Sequence, residues 1–170
     1  MIYHFKFRSF LSGVVLIVFT GCGYYSFSGS TLPHLKTIAI PTFQDDTAEF
    51  GVKDDLTNAL IDAFSKDNTL KIADQRNADS IITGRLLAVR DGAGAFNRSE
   101  TVNEIRVTVS VQVKFEDLQK RKIVWEDNLS QVGTYAPNGG STSNTTREEA
   151  ITEAISKITE EVLNRSISGW

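Results

Sequence analysis

From Glu104 to Glu116 the chain alternates with period two. Ile105, Val107, Val109, Val111, Val113 and Phe115 interleave with Glu104, Arg106, Thr108, Ser110, Gln112, Lys114 and Glu116. Successive residues of a strand point to opposite faces, so this segment reads as one long strand with an apolar face and a polar face. Such a strand does not stand alone. Its backbone needs neighbouring strands and its apolar face needs a covering layer. Residues 117–121 read as a tip, and 122–132 as the returning partner of an antiparallel hairpin.

Two amphipathic segments supply the cover. Val52, Leu56, Leu60, Ala63 and Phe64 recur at helical spacing, which predicts a helix over 48–66 with Thr47 as its cap and Asp67-Asn68 as its end. Asp54 and Asp55 fall in its first turn, where the helix dipole favours negative charge. Thr146-Arg147-Glu148-Glu149 has capping-box spacing and opens a second helix to about Ser166, with Ile151, Ala154, Ile155, Ile158 and Val162 on one face. Shorter strands are expected at 36–41, stopped by Pro41, at 70–73, and at 80–90, broken by Asp91-Gly92-Ala93-Gly94. Residues 42–47 and 135–145 read as loops. The order strand, helix, strands, hairpin, helix implies a parallel opening pair followed by antiparallel strands. The expected fold class is α+β: a mixed four- to five-stranded sheet with two helices packed on one face. The other face is left polar.

The N-terminus carries a different kind of signal. Lys6 and Arg8 precede an apolar run from Phe10 to Phe19, and Phe19-Thr20-Gly21-Cys22 follows. Basic start, short apolar stretch and small residues before a cysteine are the layout of a lipoprotein signal peptide. A spanning helix needs about twenty apolar residues, roughly twice this run. The expected organisation is a signal peptide over 1–21, a lipidated tether over 22–34 that lays its aromatics on the domain, and one α+β domain over 35–170. Cys22 would carry a diacylglycerol and an N-acyl chain, which hold a protein stably on a bilayer. The plainer alternative is an ordinary signal peptide with a chance cysteine near the cut. Gly23 rather than Asp after the cysteine favours the periplasmic face of the outer membrane.

Composition narrows the chemistry. Cys22 is the one cysteine, so no intrachain disulfide or multi-cysteine metal site is available. Residues 1–21 hold Lys6 and Arg8 and no acid, so removing them takes the formal charge from -3 to -5. A mildly acidic product argues against general nucleic-acid binding. His34, the only histidine after cleavage, sits beside Pro33 with no evident partner and reads as a surface residue. Asp45-Asp46, Asp54-Asp55 and Glu148-Glu149 are paired acids, but a turn and two helix starts explain them better than acid–base catalysis does. Gly92-Ala93-Gly94 lacks the lysine and the helix of a phosphate loop. No cofactor is expected beyond the lipid on Cys22. Lys120, Arg121 and Lys122 at the hairpin tip, with Lys114 nearby, either pair with phosphates or simply solvate a turn that discourages edge pairing.

Several stretches stand in a telling order: Cys22-Gly23-Tyr24-Tyr25-Ser26-Phe27-Ser28-Gly29, Leu35-Lys36-Thr37-Ile38-Ala39-Ile40-Pro41 and Leu56-Thr57-Asn58-Ala59-Leu60-Ile61, then Arg106-Val107-Thr108-Val109, Val124-Trp125-Glu126 and Leu163-Asn164-Arg165-Ser166. Taken together they resemble the LptE family of lipopolysaccharide-assembly lipoproteins in its non-enteric form. The resemblance implies a non-enzymatic outer-membrane lipoprotein that plugs the LptD β-barrel from the periplasmic side during lipopolysaccharide transport. It implies two helices on one side of a mixed sheet. No motif fixes lipopolysaccharide contacts, and Lys114, Lys120, Arg121 and Lys122 are candidates from charge and position. The alternative is another periplasmic adaptor lipoprotein, such as a penicillin-binding-protein activator or a curli-secretion-like subunit.

Overall fold

The computed structural model of the chain describes residues 32–96, 102–136 and 146–168. The elements in chain order are β1 (Thr37–Ala39), β2 (Gln44–Asp45), α1 (Val52–Asp67), β3 (Lys71–Ile72), β4 (Ser80–Phe96), β5 (Val102–Asp117), β6 (Lys122–Tyr135) and α2 (Arg147–Ile167). They build a six-stranded mixed sheet in the order β3-β1-β4-β5-β6, with β2 pairing β4 off that path. β1 pairs β3 and β4 in parallel, and β4, β5 and β6 run antiparallel. This is the expected α+β class. The sixth strand is β2, which forms inside the stretch expected as a loop and lies parallel to Arg85 and Leu86 of β4.

The alternation in β5 does what its period demands. Val107, Val109, Val111, Val113 and Phe115 are fully buried, while Arg106 is exposed and Thr108, Ser110, Gln112 and Lys114 are half-buried. The buried face meets Leu56, Leu60 and Phe64 of α1 and Ala154, Ile158 and Val162 of α2 in one core. Burying each such valine or leucine contributes about 1.5–3 kcal/mol, so this double-sided seam is the main source of stability. Gly133 of β6 makes the seam close. A Cβ there would run into the backbone carbonyl of Ala150, so the first turn of α2 rests directly on the strand.

Two local expectations fail for identifiable reasons. Thr47 does not cap α1. Its N–H and hydroxyl both donate to Asp45 Oδ1, at 2.8 and 2.7 Å, so it closes a tight turn instead. The helix starts later, after Gly51, whose φ of 84° lies in the left-handed region glycine tolerates. Nor does Asp91-Gly92-Ala93-Gly94 end β4. The strand continues because β5 offers it partners, with Asp91 opposite Val107, Gly92 opposite Arg106 and Ala93 opposite Ile105. Irregularities beside Ala88 and Ala95 absorb the misfit. α2 opens as expected: Thr146 accepts from the Glu149 N–H, and Glu149 accepts from the Thr146 N–H. Cys22, the tether aromatics and most of the loop after Tyr135 lie outside the described residues.

Candidate functional site

The N-terminal segment joins the domain beside the β5–β6 tip, and a lattice of carboxylates holds the junction. His34 is not a free surface residue. Its Nε2 lies 2.6 Å from Asp117 Oδ2, and the Asp117 side chain is only 3% exposed. Asp117 also accepts the Lys120 N–H at 2.9 Å, which fixes the turn. Burial alone would raise the pKa of Asp117. The Lys120 N–H and His34 outweigh it and hold the carboxyl below its usual 3.8. Asp79 does the same work one strand away. It accepts the N–H groups of Lys36 and Thr37 and the Gln119 amide, and these bonds lower its pKa, the Gln119 bond most. The sequence hides this lattice because His34, Asp79 and Asp117 are far apart in the chain and match no motif.

Asp79 and Asp117 are therefore occupied by donors of the fold itself, while the cations around them have no ion pair among the described residues. Lys120, Arg121 and Lys122 are exposed at the tip, and their side chains form no ion pair among the described residues. Lys36 and Lys71, on the adjoining starts of β1 and β3, are likewise exposed and unpaired among those residues. Lys114 differs. It stands on the open sheet face opposite Glu126 and forms an ion pair with Glu116 at 3.1 Å. The structure thus places Lys36 and Lys71, which pattern reading passes over, at the same end of the sheet as the tip triplet, Lys71 on the opposite edge strand, and pairs Lys114 with Glu116.

The open face of the sheet is a mosaic of matched polar pairs. Arg85 donates to Asp46 and Gln44, Gln112 donates to Glu126, and the Ser110 and Ser130 hydroxyls lie 2.8 Å apart. Arg90 and Arg106 are exposed on neighbouring strands of this face and have no ion-pair partner among the described residues. Neither helix covers this surface. Polar groups without a protein cover fit a wet environment or a polar partner.

The opposite end shows where the remaining paired acids go. Arg147, at the start of α2, donates to both carboxylate oxygens of Glu49 at 2.8 and 3.1 Å and to Asp91 at 2.9 and 3.0 Å. The bonds to Glu49 first, then to Asp91, raise the guanidinium pKa above its ordinary value. This hub joins the loop before α1, strand β4 and helix α2. Asp54, Asp55 and Glu148 stand in first turns of helices. Among the described residues no group of three His, Cys, Asp or Glu side chains is placed to hold a metal ion.

Residues 35–166 match the family described as LptE, lipopolysaccharide-assembly. The chain belongs to the LptE family. No curated protein matches it in sequence. Solved structures of similar fold include a hypothetical protein from Chlamydia trachomatis, with a TM-score of 0.59 and 8% identity over 77% of this chain and 95% of that one. The PelC dodecamer from Paraburkholderia phytofirmans gives a TM-score of 0.55 at 14% identity, covering 84% of this chain and 95% of the other. A Xanthomonas campestris protein gives 0.53 at 12%, covering 77% and 83%. These likenesses concern the fold. For this LptE-family chain, the matched region contains the whole sheet and nearly all of both helices, and it begins one residue after His34.

Proposed function

We propose that this LptE-family protein is a lipid-anchored, non-catalytic plug and assembly partner of the outer-membrane barrel LptD in lipopolysaccharide transport. The acyl chains on Cys22 hold it at the periplasmic face of the outer membrane, and the folded body enters the barrel. The observation that carries this reading is the open sheet face within a family-matched domain. A barrel lumen is polar, so a plug needs a polar surface over a rigid core. The matched pairs at Arg85, Gln112 and Ser110 supply that surface without leaving a buried charge uncompensated. A non-catalytic role is supported by the structural duties of the paired acids: Asp45 closes a turn, Asp46 meets Arg85 and Glu149 caps a helix.

Lipopolysaccharide is an anionic amphiphile, and its phosphates call for exposed cations. Lys120, Arg121 and Lys122 are offered at the tip, with Lys114 as a weaker contributor because Glu116 shares its charge. Crosslinking in outer membranes followed by pulldown through this protein tests the main reading. A large β-barrel is the expected partner; recovery of cell-wall-linked proteins alone would overturn it. For the glycolipid contact, the combined Lys120→Ala, Arg121→Ala and Lys122→Ala variant is expected to bind lipopolysaccharide less tightly at low salt, where charge contacts are least screened.

A further inference from the structure

Leu32, Pro33, Leu35, Leu70 and Ile167 line a recess of about 240 Å³ at the N-terminal junction, between the start of β1, the residues after α1 and the end of α2. Ser166 also lines it, but its hydroxyl already donates to the Val162 carbonyl at 2.7 Å. Lys36 and Thr69, both exposed, complete the rim. The recess thus suits an apolar guest better than a hydroxyl that must find a partner. A cavity of about 150 Å³ lined by aliphatic side chains takes a benzene ring, so this one has room for a phenyl side chain.

The chain enters the domain at the wall of this recess, and it enters turning. The Leu35 N–H donates to the Leu32 carbonyl at 3.0 Å, which closes a reverse turn. His34 Nε2 lies 2.6 Å from Asp117 Oδ2, and the Lys36 N–H donates to Asp79 Oδ2 at 2.9 Å. This clasp fixes the turn on the domain, and Leu32 packs against the core. Phe27 lies five residues before Leu32, joined to it by Ser28-Gly29-Ser30-Thr31. That link reaches about 17 Å at most and contains a glycine, which lets it fold back. The Phe27 ring has no polar atom, whereas Tyr24 and Tyr25 carry hydroxyls that need a partner when buried.

We infer that Phe27 seats in this recess and fastens the segment behind Cys22 to the domain. The inference rests on the anchored reading above and deepens it, because docking sets the length of the leash. With Phe27 seated, five residues and at most about 17 Å separate the acylated Cys22 from the body. With Phe27 free, ten residues and about 35 Å separate Cys22 from Leu32. Halving a flexible leash raises the effective concentration of the body beside a partner in the same membrane about threefold.

The test uses the full acylated chain in detergent micelles, carrying Thr69→Cys. Thr69 is exposed at the rim of the recess, and acylation occupies the Cys22 thiol, so position 69 offers the one thiol for labelling. Adding Phe27→Ala should speed alkylation at 69 by a bulky maleimide about tenfold, because the ring no longer covers the rim. Phe27→Leu keeps an apolar side chain and should retain most of the protection. Tyr24→Ala with Tyr25→Ala, and separately Trp170→Ala, should leave the rate at its starting value. An unchanged rate with Phe27→Ala overturns the inference. So does a faster rate with Trp170→Ala, which would assign the recess to the C-terminal residues instead. Alkylation at Cys22, located by peptide mapping, defeats the anchored reading alone, and the rate at 69 still decides the docking.

Discussion

At the end of the sheet where the N-terminal segment joins, Asp79 and Asp117 are tied to the fold and several cations face water. Asp79 and Asp117 accept backbone N–H groups, and five lysines and arginines are left facing water. At the opposite end the arrangement is reversed. One arginine, Arg147, is drawn inward between Glu49 and Asp91, and Asp54, Asp55 and Glu148 at the helix starts face outward. Helix direction contributes to this. Both helices begin at the Arg147 end and finish near the junction, where Leu32, Leu70 and Ile167 line a common recess of about 240 Å³. Acids therefore gather where the dipoles are positive. The difference shows that a mildly acidic domain acquires two chemically opposite ends by choosing which charges to use for its own architecture. What remains exposed is the complement of what the fold has used.

The largest effect should come from the packing the Arg147 end depends on. Gly133→Val forces α2 off β6 and is expected to lower unfolding free energy by about 3 kcal/mol, read as a shift in denaturant midpoint. An unchanged midpoint would mean that the close approach of Ala150 is not a constraint. Arg147→Met removes the hub and leaves Glu49 and Asp91 facing each other. We expect a loss of about 2 kcal/mol, with faster amide exchange in residues 46–51 than at the tip. Loosening of both ends alike would show that they are not independent.

Asp117→Asn tests the other end and should destabilise by about 1.5 kcal/mol at neutral pH. The sign of its pH dependence follows from the lowered pKa. The folded carboxyl titrates below the unfolded value of 3.8, so its contribution is present above that value and is lost as pH falls from it through the lower folded pKa. The gap between the native chain and Asp117→Asn should therefore close in acid, and a gap that widened would refute the clasp as described. Thr146→Ala deletes a cap and should lower thermal stability by about 1 kcal/mol. Removing all three tip cations should be nearly silent in stability, within about 0.5 kcal/mol, since their side chains form no ion pair among the described residues. A large loss there would mean that they support the fold.

The periodic elements could be read directly. A run of alternating apolar residues has one way to bury one face, so the core face of β5 follows from Val107 to Phe115 without further information. The second helix follows equally from Ile151 to Val162 and its capping box. Thr47 shows the limit of local reading. Its type suits a helix cap, but Asp45 two residues earlier competes for the same hydroxyl, and the pairing of β2 with β4 decides the contest. The extension of β4 through Asp91–Gly94 shows the same thing at longer range, because a strand's end is set by where its neighbour's backbone ends as much as by its own breakers.

The sequence by itself determined the α+β class, the buried and open faces of the sheet and the capped start of the second helix, because periodicity and capping act over a few residues. Only the tertiary structure decided which charges are free. His34 meets Asp117 across 83 residues of chain, Asp79 meets Lys36 and Gln119 across 43 and 40, and Arg147 meets Asp91 and Glu49 across 56 and 98. Whether a given lysine or aspartate is a partner or an exposed charge depends on contacts that folding creates.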